Sequence, residues 1–147
     1  LAGLREHFAN VSKFTAERVE KDLLGILARH SREAAELVTD QLEQGQDSRG
    51  DNLPDYSPAS VQVFGKPAGP WRLYDTGDFY RSILLRTNKF PAVFDATDSK
   101  TDEIFAKLES KGANSDQLLG LGDEGKEQLR AEVRADTAAY FRRILGL

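Results

Sequence analysis

The chain has 147 residues, 20 of them basic and 24 acidic, for a formal net charge of -4. That balance argues against a protein built mainly to grip nucleic acid, for which a pI above about 9 is usual, and leaves room for a local basic patch. Cysteine is absent and the only histidines are His7 and His30, so disulfide frameworks, thiolate zinc sites, iron–sulfur clusters and cysteine nucleophiles are excluded as well.

The length fits a single domain, 1–147, that buries a modest core without a staple. No apolar run reaches the ~18–20 residues of a membrane span. Arg5, Glu6 and His7 interrupt any signal-peptide pattern. The chain starts at Leu1 and contains no methionine, so further residues are expected to precede it. A soluble, slightly acidic, intracellular-type domain is the expectation from composition.

A short, weakly specified helix is expected over Ala2 to Asn10. From about Phe14 to Gln44 the apolar residues Val19, Leu23, Ile26, Leu27, Ala34, Leu37, Val38 and Leu42 recur at spacings of three and four, which predicts one face of a helix. Ser12 or Thr15 can cap it, and Gly45 can end it. A helix of about 30 residues would be ~45 Å long, so it either bends or projects, and Gly25 is the candidate for a bend. Residues 1–44 are thus read as a helical arm.

Residues 45–70 carry Gly45, Gly50, Pro54, Pro58, Gly65, Pro67, Gly69 and Pro70. The stretch reads as a loop with at most a turn near Pro58 to Val63, and its length suits a segment ordered by a partner. Residues 71–147 then hold a helical turn after Asp75 or Thr76 and a hairpin with strands Ile83–Thr87 and Pro91–Ala96. Thr101 is then expected to cap a helix through about Ser110, followed by a glycine-punctuated turn. Asp123 is expected to cap the last helix, with Leu129, Val133, Thr137, Tyr140 and Ile144 in its stripe. The expected fold class is α+β.

Asp75-Thr76-Gly77 is the sharpest local motif. In dimeric aspartic proteases such a triplet from each subunit lets two carboxylates share a proton, but that chemistry needs a strand-rich fold, and this chain reads as mostly helical. The preferred reading is that Asp75 or Thr76 caps the turn and Gly77 permits its tight geometry. Asp47, Asp51 and Asp55 lie four apart around Gly50, yet a calcium loop needs ligands two apart and a closing glutamate; Arg49 and Pro58 occupy those places. Arg49-Gly50-Asp51 matches an adhesion tripeptide by coincidence. His30 continues the helical stripe, Gly65-Lys66 lacks the rest of a phosphate loop, and Arg130, Arg134, Arg142 and Arg143 alternate with Glu127, Glu132 and Asp136 as on a solvated helix. No nucleophile–base pair, cofactor site or metal site emerges, which favours a binding or structural protein.

A composite pattern spans Gln41 to Ser82: Gln41-Leu42, Gly45, Asp47, Gly50, Leu53, Tyr56-Ser57, then Leu73-Tyr74-Asp75-Thr76-Gly77-Asp78-Phe79-Tyr80 and Ser82. It resembles small proteins encoded in tailed bacteriophages and prophages, in particular the virion-morphogenesis and tail-completion proteins of the neck, which join head to tail. Leu118-Leu119-Gly120-Leu121-Gly122-Asp123-Glu124 resembles the same family's turn into its last helix.

The resemblance implies a non-enzymatic virion structural protein, assembled in the bacterial host cytoplasm as a homo-oligomeric ring at the head–tail junction. Its partners would be portal, neck or tail proteins, with DNA passing through without specific binding and no membrane involved. A tail-tube or capsid-associated subunit is the alternative, and a dimeric aspartic protease the remote one. In the ring reading Asp75, Thr76, Gly77 and Ser82 form a structural turn, and Tyr56, Phe64 and Trp71 are the candidate interface. Phe79 is expected to point inward and Trp71 towards a neighbour.

Overall fold

The computed structural model describes residues 2–12 and 14–147. Three helices open the chain, α1 (Ala2–Val11), α2 (Ala16–Arg29) and α3 (Ser31–Glu43). The Thr15 hydroxyl starts α2 by accepting from the Arg18 amide at 3.1 Å, satisfying one of the helix's orphan donors.

The long apolar stripe is therefore divided, and the division falls at His30 (φ -106°, ψ 14°), with Gly25 inside α2. The reason lies in the packing. Leu24 and Ile26 are buried on α2, while α3 turns Ala34, Val38 and Leu42 into the interior at 0% exposure. The His30 imidazole is held by Asp136 on the last helix, Nε2 to Oδ2 at 2.9 Å. One straight rod could not present both stripes to their partners.

The 45–70 segment carries a short helix, α4 (Pro58–Phe64), started by Ser57, whose Oγ accepts from the Ser60 amide at 3.1 Å, and ended by Gly65. Next come α5 (Asp78–Ser82) and the strands β1 (Ile83–Arg86) and β2 (Val93–Ala96). The strands pair antiparallel, Ile83 opposite Ala96 and Arg86 opposite Val93. A two-stranded sheet is marginal by itself, and α3 packs against β1. Helix α6 (Thr101–Ser110), a 3-10 turn (Ser115–Gln117) and α7 (Asp123–Leu145) complete the chain; Thr101 and Asp123 are first helical residues and not caps, the cap positions falling to Lys100 and Gly122 without a side-chain hydrogen bond.

The fold is α+β, seven helices and one two-stranded antiparallel sheet among the described residues. One core draws on all three stretches: Val38 and Leu42 from the first, Leu53 from the second, and Phe79, Tyr80, Ile83, Ala96, Leu108, Leu118 and Leu121 from the third. No helix among the described residues is long and apolar enough to cross a membrane.

Candidate functional site

The motif residues gather in two places. The first is a knot in which the end of α3 meets the turn before α7. Gln41 makes it with a single amide: Nε2 donates to the Gly120 carbonyl at 3.1 Å, and Oε1 accepts from the Gly122 amide at 2.7 Å. The Ser48 amide donates to the Gln117 carbonyl at 2.9 Å, and its hydroxyl donates to Gln117 Oε1 at 3.1 Å.

Asp47, 8% exposed, accepts from the amides of Arg49 and Asp51 at 2.8 and 3.0 Å, so its carboxylate organises the turn around Gly50. Asp55 sits elsewhere, in a bridge opposite Pro70. Among the described residues no group of three or more His, Cys, Asp or Glu is placed to hold a metal ion.

Gly45 is the tightest point of the knot. Its φ is +73°, and a Cβ there would lie 2.6 Å from Pro70 Cγ. Only glycine meets both demands. Leu53, 5% exposed, follows into the core, its amide donating to the Gly45 carbonyl at 2.7 Å. Residues 45–57 are thus ordered by their own chain.

The second place is the Asp-Thr-Gly turn, beside a cleft of about 170 Å³ that Tyr56, Lys66, Ile104 and Lys100 also line. Thr76 Oγ1 donates to Asp78 Oδ2 at 2.5 Å, and Asp78 also pairs with Arg81. The Thr76 hydroxyl first, and the Arg81 guanidinium second, hold the Asp78 carboxyl below the usual carboxylate range. Gly77 takes φ +83°, where a Cβ would lie 2.9 Å from Arg81 Nη1. Ser82 Oγ donates to the Phe79 carbonyl at 2.7 Å where α5 gives way to β1. Asp75 itself is exposed, its nearest cation Lys100 at 3.7 Å. The cap position of α5 is Gly77 and not Asp75 or Thr76, and Thr76, Gly77, Asp78 and Arg81 together make a self-contained turn.

Phe79 is buried at 5% exposure. Trp71 is half-buried and packs against the core, with the Tyr56 ring 6.2 Å away. The Tyr56 hydroxyl accepts from the Arg72 amide at 3.2 Å. Of the three candidate interface aromatics only Phe64 is fully offered to solvent, 74% exposed beside Val63 at 72%. The Tyr80 hydroxyl is buried with no hydrogen-bond partner. Burial first, and the nearby Glu43 carboxylate second, push its ionisation up.

Two features carry a role that the sequence pattern did not assign. The Gln41 clamp was present in the motif without a role; the signal was an amide side chain at the end of a helix, with two glycines 79 and 81 residues on. The other is an exposed apolar stripe on α1, namely Leu4, Phe8 and Val11 at 60, 65 and 39% exposure, legible as the spacing i, i+4, i+7. No protein family, curated protein or solved structure matches this chain.

Proposed function

We propose that this chain is a non-enzymatic structural subunit of a tailed-phage virion, forming a homo-oligomeric ring at the head–tail junction. The observation that carries the reading is where the molecule places its apolar side chains. Val63 and Phe64 stand at the end of a short projecting helix, 72 and 74% exposed, and adjacent large apolar residues of this kind mark a contact surface.

The motif residues support the same reading, because their polar groups are engaged with one another. Gln41, Ser48, Asp47, Thr76 and Ser82 each hold a turn or join two turns. Asp75, the residue a protease would need, faces Lys100 across 3.7 Å. A net charge of -4 suits a conduit through which DNA passes without adhering. Copies in a ring would make head-to-tail contacts that close by rotation, and portal, neck or tail proteins would lie above and below.

Quantitative mass spectrometry of purified tailed particles whose genome encodes the chain tests the reading. A fixed, small copy number per particle, retained when the capsid is emptied of DNA, is expected. A copy number that scales with the capsid shell or the tail length would favour the capsid-associated or tail-tube alternative. Absence from particles would overturn the proposal.

A further inference from the structure

Helix α1 is ten residues long, and each of its described side chains is exposed. A lone helix shorter than about 12–15 residues is marginal in water. Leu4, Phe8 and Val11 on α1 remain 60, 65 and 39% exposed. Its packing partner within the chain is α7, and Phe14, just after it, stacks on Phe141 of α7 with ring centroids 6.2 Å apart.

Elsewhere a groove of about 620 Å³ opens between α3 and β1, with Ala35, Thr39, Ile83 and Leu84 among its lining residues and Asp40 at its rim. We propose that the α1 stripe of one copy seats in the α3/β1 groove of the next copy, as a helix-in-groove arm contact. The inference rests on the ring reading above and specifies its interface.

Three observations select a second copy as the occupant. The first is size: the stripe from Leu4 to Val11 spans ~10 Å along its helix, and the groove runs along α3 from Ser31 to Asp40, ~13 Å. Anchors at i, i+4 and i+7 are what such a groove receives.

The second is charge. The other rim charges are already paired, Arg32 with Glu36 at 2.9 Å and Arg81 with Asp78. Asp40 has no ion-pair partner among the described residues, and neither has Arg5, which flanks the stripe.

The third is placement. Donor and acceptor are different surfaces, α1 on α7 and the groove between α3 and β1. Such a contact is heterologous, and it builds rings or chains and not closed pairs.

The test uses the full chain, whose lack of cysteine makes introduced thiols unambiguous. With Phe8→Cys and Thr39→Cys together, mild oxidation should yield a ladder of cross-linked trimers and higher species, whereas either change alone stops at dimers. In sedimentation velocity Phe8→Glu should weaken self-association by more than about tenfold. Asp40→Arg and Arg5→Asp should each weaken it about threefold to tenfold, and the two together should restore it. Because these positions are exposed or at the rim, circular dichroism should show the fold intact.

If the wild type forms its ring, Phe8→Glu forms it equally well and no ladder appears, the arm contact is overturned and the ring reading stands. The α1 stripe would then be covered by something other than a second copy. If the wild type stays monomeric at every concentration, the ring reading fails and the arm contact with it.

Discussion

Residues 45–57 and 58–65 are neighbours in one segment punctuated by glycine and proline, the first polar and charged and the second uncharged, and they meet opposite fates. The first stretch is drawn into the molecule: Asp47 is buried as the hub of a turn, Gly45 fits under Pro70, and Leu53 joins the core. The second forms a capped helix with none of its residues buried, ending in Val63 and Phe64 in full exposure. A glycine- and proline-rich segment therefore divides by where its apolar side chains find cover. Leu53 has a pocket in its own chain, whereas Phe64 stays 74% exposed.

The strongest way to break this comparison is at the core. Phe79→Ala should cost about 3–5 kcal/mol, read as a fall in denaturation midpoint at unchanged slope. A loss below 1 kcal/mol would mean that the Asp-Thr-Gly turn is not anchored from inside. Gly45→Ala comes next, since the left-handed backbone alone costs about 1–2 kcal/mol and the clash with Pro70 adds to it. Its melting temperature should fall well below that of Gly50→Ala, because Gly50 shares the positive φ and has open space around it. Equal losses would remove Pro70 from the account.

Gln41→Ala leaves the Gly122 amide and Gly120 carbonyl without their partner, and should cost about 1–3 kcal/mol. Hydrogen exchange at Gly122 should accelerate before exchange in α6 does, and protection that survives the substitution would show that the clamp is dispensable. On the outer stretch, Val63→Ser with Phe64→Ser should change monomer stability by no more than about 0.5 kcal/mol while weakening assembly. A clear drop in melting temperature would place these residues against the chain itself.

The smallest effect is that of pH. Asp136 is held below the usual carboxylate range, by the His30 hydrogen bond first and Arg29 second, and Asp95 by Arg86 and then the Ala96 amide. Because the folded values lie below the unfolded ones, their stabilisation is present above about pH 4 and is lost as pH falls through the folded values. Thermal stability should thus be flat from pH 7 to 5 and decline below about pH 4, and His30→Ala should flatten part of that acid limb. A decline that begins above pH 5 would contradict the assignment to these carboxylates.

Much of the scaffold was legible from local chemistry. Thr101 to Ser110 and the helix from Asp123 could be read because acidic first turns and apolar spacing agree with the fold there. The expected inward direction of Phe79 agrees with its burial at 5% exposure, although Ile83 beside it belongs to the strand and not to the helix. The break at His30 was not legible, because it is set by two different packing partners and by Asp136, 106 residues away. Nor was the half-burial of Trp71, which depends on Tyr56 and the core behind it. The roles of Gln41 and Ser48 became visible only once the fold set them against Gly120, Gly122 and Gln117.

The central claim is that the surfaces left uncovered in one chain are covered by other copies in a closed ring. Native mass spectrometry of the full chain, taken across a wide concentration range, tests it most directly. The account predicts one oligomer of fixed mass in exchange with monomer, reduced by Phe64→Ser. A monomer at every concentration, or an open series of masses without a closed species, would contradict it.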